Sequence, residues 1–191
     1  MEQIVQLNSQ AKLSEHFSLG EMTKSSSHPE VYNIPSHEAI ANLKRVCVWL
    51  EVLRERYNAC HLERSREISP RASLGRDDKG GALGRDDKGG ALGRDDKEKP
   101  IIINSGYRSP QLNKKIGGVP TSNHLTGCAV DIRVADMEQL IRYANILLDY
   151  SKESHQDFDE LLIERNRYGA IWLHFAVRPS GNRRKVAFIQ A

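Results

Sequence analysis

The densest run of chemically capable residues is Ser122-Asn123-His124-Leu125-Thr126-Gly127-Cys128-Ala129-Val130-Asp131. Hydrolysis at a metal needs about three protein ligands and one open position for water. His124 and Asp131 lie seven residues apart, and the small Gly127 and Ala129 let the chain turn and pack closely between them. A third ligand is expected from a neighbouring strand. His174, within Ile171-Trp172-Leu173-His174-Phe175, is the candidate, and its large apolar neighbours would supply a dry wall. Each residue also has a plainer reading. A histidine in a strand is more often a satisfied structural residue than a ligand, and a His/Asp pair at this spacing is by itself only suggestive. A His₂Asp set accepts other divalent ions as well as zinc.

The elements that must position these residues are visible as patterns. Residues 36–57 read as a long amphipathic helix, with Ile40, Leu43, Val46, Val48, Leu50 and Leu53 near helical spacing. Ahead of it, Ser18 followed by Glu21 has the form of a capping box on a short helix. Residues 100–103 (Pro-Ile-Ile-Ile) read as a short buried strand running into Ser105-Gly106-Tyr107-Arg108-Ser109. A short helix is expected over 111–116, a turn at Gly117-Gly118-Val119-Pro120, and a strand over 129–134. Residues 137–150 form an amphipathic helix through Leu140, Ile141, Ala144, Leu147 and Leu148, and 158–164 and 170–177 form two more strands. The fold class is therefore α+β, a small antiparallel sheet flanked by helices.

One segment belongs to none of this. Gly-Arg-Asp-Asp-Lys-Gly-Gly-Ala-Leu begins at Gly75, recurs at Gly84 and starts again at Gly93. With one leucine per copy it has no face to bury, so residues 60–99 read as a disordered insertion splitting a single domain of residues 1–191. A calcium-binding repeat array would need more turns and a larger apolar residue in each. A long surface insertion is tolerable because each doubling of loop length costs only about 0.6 kcal/mol.

Composition sets the outer bounds. A formal charge of +3 with no basic stripe gives no case for nucleic acid. Cys47, Cys60 and Cys128 are odd in number and unpaired in spacing, which suits a reducing compartment. The start, Met-Glu-Gln-Ile-Val-Gln-Leu, has no signal-peptide character, and no run of about 18 apolar residues spans a membrane. His16, His28, His37, His61 and His155 have no partner at metal spacing and read as surface or loop residues. Cys128 should point away from His124 and Asp131 on an alternating strand.

The whole string S-x-H-x-x-G-x-A-x-D, from Ser122 to Asp131, resembles the motif of the zinc D-alanyl-D-alanine carboxypeptidase superfamily. That group also holds vancomycin-resistance D,D-dipeptidases, phage L-alanyl-D-glutamate endolysins and the Hedgehog signalling domain. Ser105-Gly106-Tyr107-Arg108-Ser109 and Trp172-Leu173-His174 resemble its two other blocks, in the same order. The family-like region runs over about residues 13–184.

The resemblance implies a Hedgehog/D,D-peptidase-like fold and a site. His124, Asp131 and His174 would hold zinc, which lowers the pKa of a bound water towards about 7. Arg108 would stabilise the developing oxyanion, and Ser122 would hydrogen-bond the substrate. A general base is also required. Many relatives carry an acid two or three positions before the last histidine, where this chain has Trp172 and Ile171. The acid must then come from the 158–164 strand. Glu164 is the first choice, with Asp159 and Glu160 as alternatives, although the latter two could equally be solvated.

The expected activity is hydrolysis of peptidoglycan stem peptides, as a carboxypeptidase or an endopeptidase. The alternative is a non-catalytic zinc-stabilised binding module of the same fold. Synthesis in a bacterial cytoplasm without a signal peptide, with action at the cell wall, suits a phage or prophage lysin released by a holin-type partner. A monomer is expected.

Overall fold

A computed structural model describes residues 8–67 and 98–190 of the chain. In chain order the elements are α1 (Leu19–Thr23), α2 (His37–Glu67), β1 (Ile103–Ser105), α3 (Pro110–Lys115), a 3₁₀ turn (Asn123–Thr126), β2 (Ala129–Arg133), α4 (Met137–Ser154), β3 (Glu160–Arg165), β4 (Ile171–Ala176) and β5 (Lys185–Gln190). The fold is α+β, with one five-stranded sheet of order β1-β2-β4-β3-β5. β1, β2, β4 and β3 pair antiparallel, and β5 pairs parallel to β3. The expected all-antiparallel sheet is thus mixed. The added edge strand escapes sequence reading because its polar and apolar residues carry few turn signals to set it apart from the Arg183-Arg184 loop.

The core lies between one sheet face and helices α2 and α4. On α2 the buried stripe runs through Ala39, Leu43, Val46, Leu50, Leu53 and Tyr57, alternating steps of three and four residues. Val48, expected inside, is 52% exposed, whereas the neighbouring Trp49 is buried at the centre. Trp49 meets Tyr150 of α4 edge-on at 4.8 Å and Phe175 of β4 at 5.2 Å, so one side chain ties both helices to the sheet. Such aromatic pairs add about 0.5–1.5 kcal/mol beyond area burial. On α4, Leu140, Tyr143, Ala144 and Leu147 face inward, and Ile141 is largely exposed.

Several boundaries differ from expectation. Helix α2 continues ten residues past Tyr57, to Glu67, into the segment assigned to the insertion. At the far side of that segment, Lys99 N donates to Asn58 Oδ1 (2.8 Å) and Asn58 Nδ2 to Lys99 O (3.2 Å), so the chain re-enters the fold directly against α2. The repeat itself lies outside the described residues. The first strand sits at Ile103–Ser105 rather than 100–103, with Arg133 N still donating to Ile102 O at 2.9 Å. Among the described residues no helix is long and apolar enough to cross a membrane.

Strand register sets the opposite face of the sheet. Asp131 stands across from His174, and His174 across from Leu162. Because side chains alternate, this rung shares a face with the rung Trp172–Glu164–Ile189 on one side and Ala176–Glu160–Lys185 on the other. Leu161, Ile163, Leu173 and Phe175 point the other way, into the core.

Candidate metal centre

Two motif glycines bring the pieces of the site together. Gly127 ends the 3₁₀ turn at φ +71°, and a Cβ there would collide with the Ala39 carbonyl of α2. Gly106 lies so close to α1 that a Cβ would strike the Met22 carbonyl, and Tyr107 N donates to that same oxygen at 2.7 Å. A reciprocal clasp then joins the two motif blocks. Arg108 N donates to His124 O (3.0 Å), and His124 Nδ1 donates to Gly106 O (2.6 Å). Asn33 holds the same loop, donating to Thr23 O and Tyr107 O and accepting from Ser109 N.

The clasp fixes the His124 tautomer: Nδ1 carries the proton and Nε2 faces the sheet. There it lies 3.3 Å from His174 Nδ1 and 3.3 Å from Asp131 Oδ1, which are themselves 2.9 Å apart. Three atoms bonded at about 2.0–2.1 Å to one tetrahedral zinc would be separated by about 3.3 Å. The triangle therefore has the dimensions of three corners of a zinc tetrahedron, and all three side chains are buried. Their chemistry, two imidazole nitrogens and one carboxylate oxygen, suits zinc.

The electrostatics of the cluster are those of a charge held in a dry place. Burial keeps His124 below the usual histidine range. Burial would raise the Asp131 pKa, but His124 and His174 outweigh it and hold the carboxyl well below its ordinary range. His174 runs the other way: burial lowers it, while pairing with Asp131 and Glu160 raises it to about 9. The second oxygen of Asp131 accepts from Arg108 Nη2, and Arg108 Nε donates to Ser105 Oγ (2.8 Å), so the guanidinium is locked beside the cluster.

A cavity of about 920 Å³ opens over these residues and takes in Arg108, Ser122, Glu160, Glu164, Trp172 and Arg178. Ser122 caps the 3₁₀ turn, its Oγ accepting from His124 N at 3.3 Å, and also lines the cavity. Burial raises the Glu164 carboxyl above its usual range, against the opposing pull of His174, Trp172 and Arg108. The Trp172 Nε1 is buried in the same wall, with no hydrogen-bond partner among the described residues.

The other two acids differ. Asp159, which could have been solvated, is fully buried. Arg183 binds it through Nε (2.7 Å) and Nη2 (2.8 Å), and Arg178 Nε lies 3.0 Å away. Glu160 pairs with Arg183 at 2.8 Å and lies 3.6 Å from His174 Nε2. Sequence reasoning missed Asn123, which joins these groups. Its Nδ2 donates to Asp159 Oδ2 (2.8 Å) and Glu160 Oε2 (2.9 Å), and its Oδ1 accepts from Arg178 Nε (2.8 Å). No pattern in a single sequence marks it, since it occupies an unassigned position of the motif. Cys128 is buried away from the cluster, its Sγ 3.9 Å from Thr126 O. His16 bonds Glu51 through Nδ1 (2.7 Å), so this loop histidine anchors the N-terminal segment to α2.

A buried His/Asp/His triangle at the floor of a cavity, with an arginine and a carboxyl beside it, has the parts that metal-assisted peptide hydrolysis needs. Residues 91–162 match the family described as Peptidase M15, so this part of the chain is similar to that family of peptidases. The match contains Arg108, Ser122, His124 and Asp131 and ends before Glu164 and His174, which join the site through the sheet register. No curated protein matches the chain.

Proposed function

We propose that the protein is a zinc-dependent peptidase that hydrolyses peptidoglycan stem peptides. The observation that carries this reading is the triangle of His124 Nε2, His174 Nδ1 and Asp131 Oδ1 at tetrahedral spacing on a cavity floor. These three residues would hold the ion. Zinc bound there would polarise the scissile carbonyl and make a water ligand acidic enough to attack near neutral pH.

The chain's own residues do the rest. Glu164 accepts the proton of the attacking water and passes it to the leaving amine, a role suited to a carboxyl that burial raises against the pull of His174 and Arg108. Arg108, pinned by Ser105 and Asp131, turns its remaining nitrogen towards the oxygen on which charge builds. Ser122 donates its hydroxyl proton to the substrate, since its oxygen already accepts from His124 N. The Trp172 indole offers its unpartnered N–H to a peptide carbonyl in the cavity.

Stem peptides are the substrate class we favour because residues 91–162 resemble Peptidase M15 and the motif blocks resemble those of cell-wall peptidases, and action at the wall would follow from that substrate. A lysin delivered by a holin-type partner is the context we favour. Digestion of purified peptidoglycan by the zinc-loaded protein, read by mass spectrometry beside His124→Ala, tests the proposal. New peptide fragments absent from the variant are expected. Stoichiometric zinc with no fragments would instead favour a zinc-stabilised binding module.

A further inference from the structure

The cavity is electrically lopsided. Its floor is three rungs of the sheet, with the metal-binding triangle at the edge of the middle one. The Trp172–Glu164–Ile189 rung brings a carboxyl and two apolar side chains. The opposite rung, Glu160–Lys185, is bordered by Arg178 and Arg183 from the loop between β4 and β5. Of the cations lining the cavity, Arg108 is taken up by Asp131, and the other three all gather at this end.

Three cations there, Arg178, Arg183 and Lys185, face two carboxylates, Asp159 and Glu160, which leaves one positive charge in excess. The excess is not spread evenly. Arg183 is consumed, with Nε and Nη2 both on Asp159 and Nη2 also on Glu160. Arg178 uses only Nε, on Asn123 and Asp159, and its two terminal nitrogens make no hydrogen bond among the described residues. Among the described residues Lys185 Nζ makes no hydrogen bond, and its ion pair with Glu160 Oε1 is long at 3.6 Å. The carboxylates thus hold the cations in place without exhausting their donors. His174 is only one contact away, 3.6 Å from Glu160.

We propose that Arg178 and Lys185 form a subsite for a carboxylate of the peptide substrate, so that the protein selects peptides carrying a negative charge on the β5 side of the scissile bond. This rests on reading the site as a peptidase. A single excess charge matches a carboxylate rather than a phosphate dianion. A planar carboxylate also matches the free terminal nitrogens of a guanidinium. Two kinds of carboxylate fit this chemistry: the terminal one, leaving with the residue cut off, or an internal one on a residue of the stem. The first would make the protein a carboxypeptidase, the second an endopeptidase.

The test is binding, by calorimetry, to the zinc-loaded Glu164→Gln protein, so that it does not depend on turnover. The probes are a synthetic stem pentapeptide with all carboxylates free, the same peptide amidated only at its C-terminus, and the same peptide amidated only at its internal carboxylates. One of the two amidations should weaken binding by about tenfold or more, the scale of a lost charge-assisted hydrogen bond. Whichever does so names the carboxylate. Lys185→Glu should weaken the free peptide comparably and leave the sensitive amide unaffected, and Lys185→Arg should restore affinity. Lys185 is the residue to vary because it is half exposed with one long ion pair, so the fold does not depend on it. Equal affinity for all three probes, or no effect of Lys185→Glu, would overturn the subsite. A protein that binds the probes as predicted while the unmutated form releases no fragments would keep the subsite and discard the peptidase reading.

Discussion

Asp131 and His174 face each other across the β2–β4 ladder with Oδ1 2.9 Å from Nδ1, and Asp131 Oδ2 at the same time takes the guanidinium of Arg108. One carboxylate therefore orients both a candidate metal ligand and the guanidinium proposed to serve the substrate.

That double duty predicts an outsized effect of a small change. Asp131→Asn keeps the shape of the side chain but removes the charge that both partners use. Zinc affinity, measured by competition with a chromogenic chelator, should fall by at least about 100-fold, since even groups one shell further out typically cost 10–100-fold. Affinity within a few-fold of the unmutated protein would mean that Asp131 is not a ligand.

Glu164 separates binding from chemistry. Glu164→Gln should retain one zinc per chain and lose about 10²–10⁴ in kcat, the range for a missing general base. Near-normal turnover would shift the role to an acid at the start of β3, although Asp159 and Glu160 are both committed to Arg183.

Asp159 makes a prediction about stability and pH. Burial would raise its pKa, yet hydrogen bonds from Arg183 and Asn123 and the charge of Arg178 prevail and hold it below the usual carboxylate range. A carboxyl with a depressed folded-state pKa contributes stability that is present above its unfolded pKa and is lost as pH falls through the folded one. Asp159→Asn should therefore destabilise the protein by about 3 kcal/mol near pH 7, the scale for breaking a buried pair. The gap to the unmutated protein should narrow as pH drops below about 4. Urea denaturation across pH checks both the size and the sign.

Gly127 ties the motif to the fold. Gly127→Ala adds a Cβ at φ +71° against the Ala39 carbonyl. We expect a loss of about 2 kcal/mol or more in urea denaturation, from the left-handed backbone and the clash together. Zinc affinity should fall in parallel, because the 3₁₀ turn carrying His124 must shift.

Much of this was legible in the residues, and the exceptions share a cause. His124, Asp131 and His174 could be named because ligand chemistry demands few residue types, and the structure brings all three to one point. Helices α2 and α4 and strands β2, β3 and β4 follow from apolar patterning, and α1 from its capping box. What could not be read depends on contacts between elements far apart in sequence. Trp49 is buried and Val48 exposed because α4 and β4 meet α2 on one side, which the spacing of one helix does not reveal. The parallel β5 depends on pairing with β3, a register no local signal encodes. Asp159 reads as a solvated acid until the Arg178 and Arg183 side chains are folded over it. Asn123, sitting between Ser122 and His124, gains its role from partners more than 30 residues away.

The most direct test of the central claim is a zinc titration. Protein stripped by a chelator is supplied with increasing zinc while new amino termini released from purified peptidoglycan are counted. The account predicts no release from the stripped protein and a rate that climbs linearly to one equivalent of zinc and then levels off. Asp131→Asn should stay flat over the same range. Release that persists after stripping, or one tightly bound zinc with no release at any ratio, would contradict it.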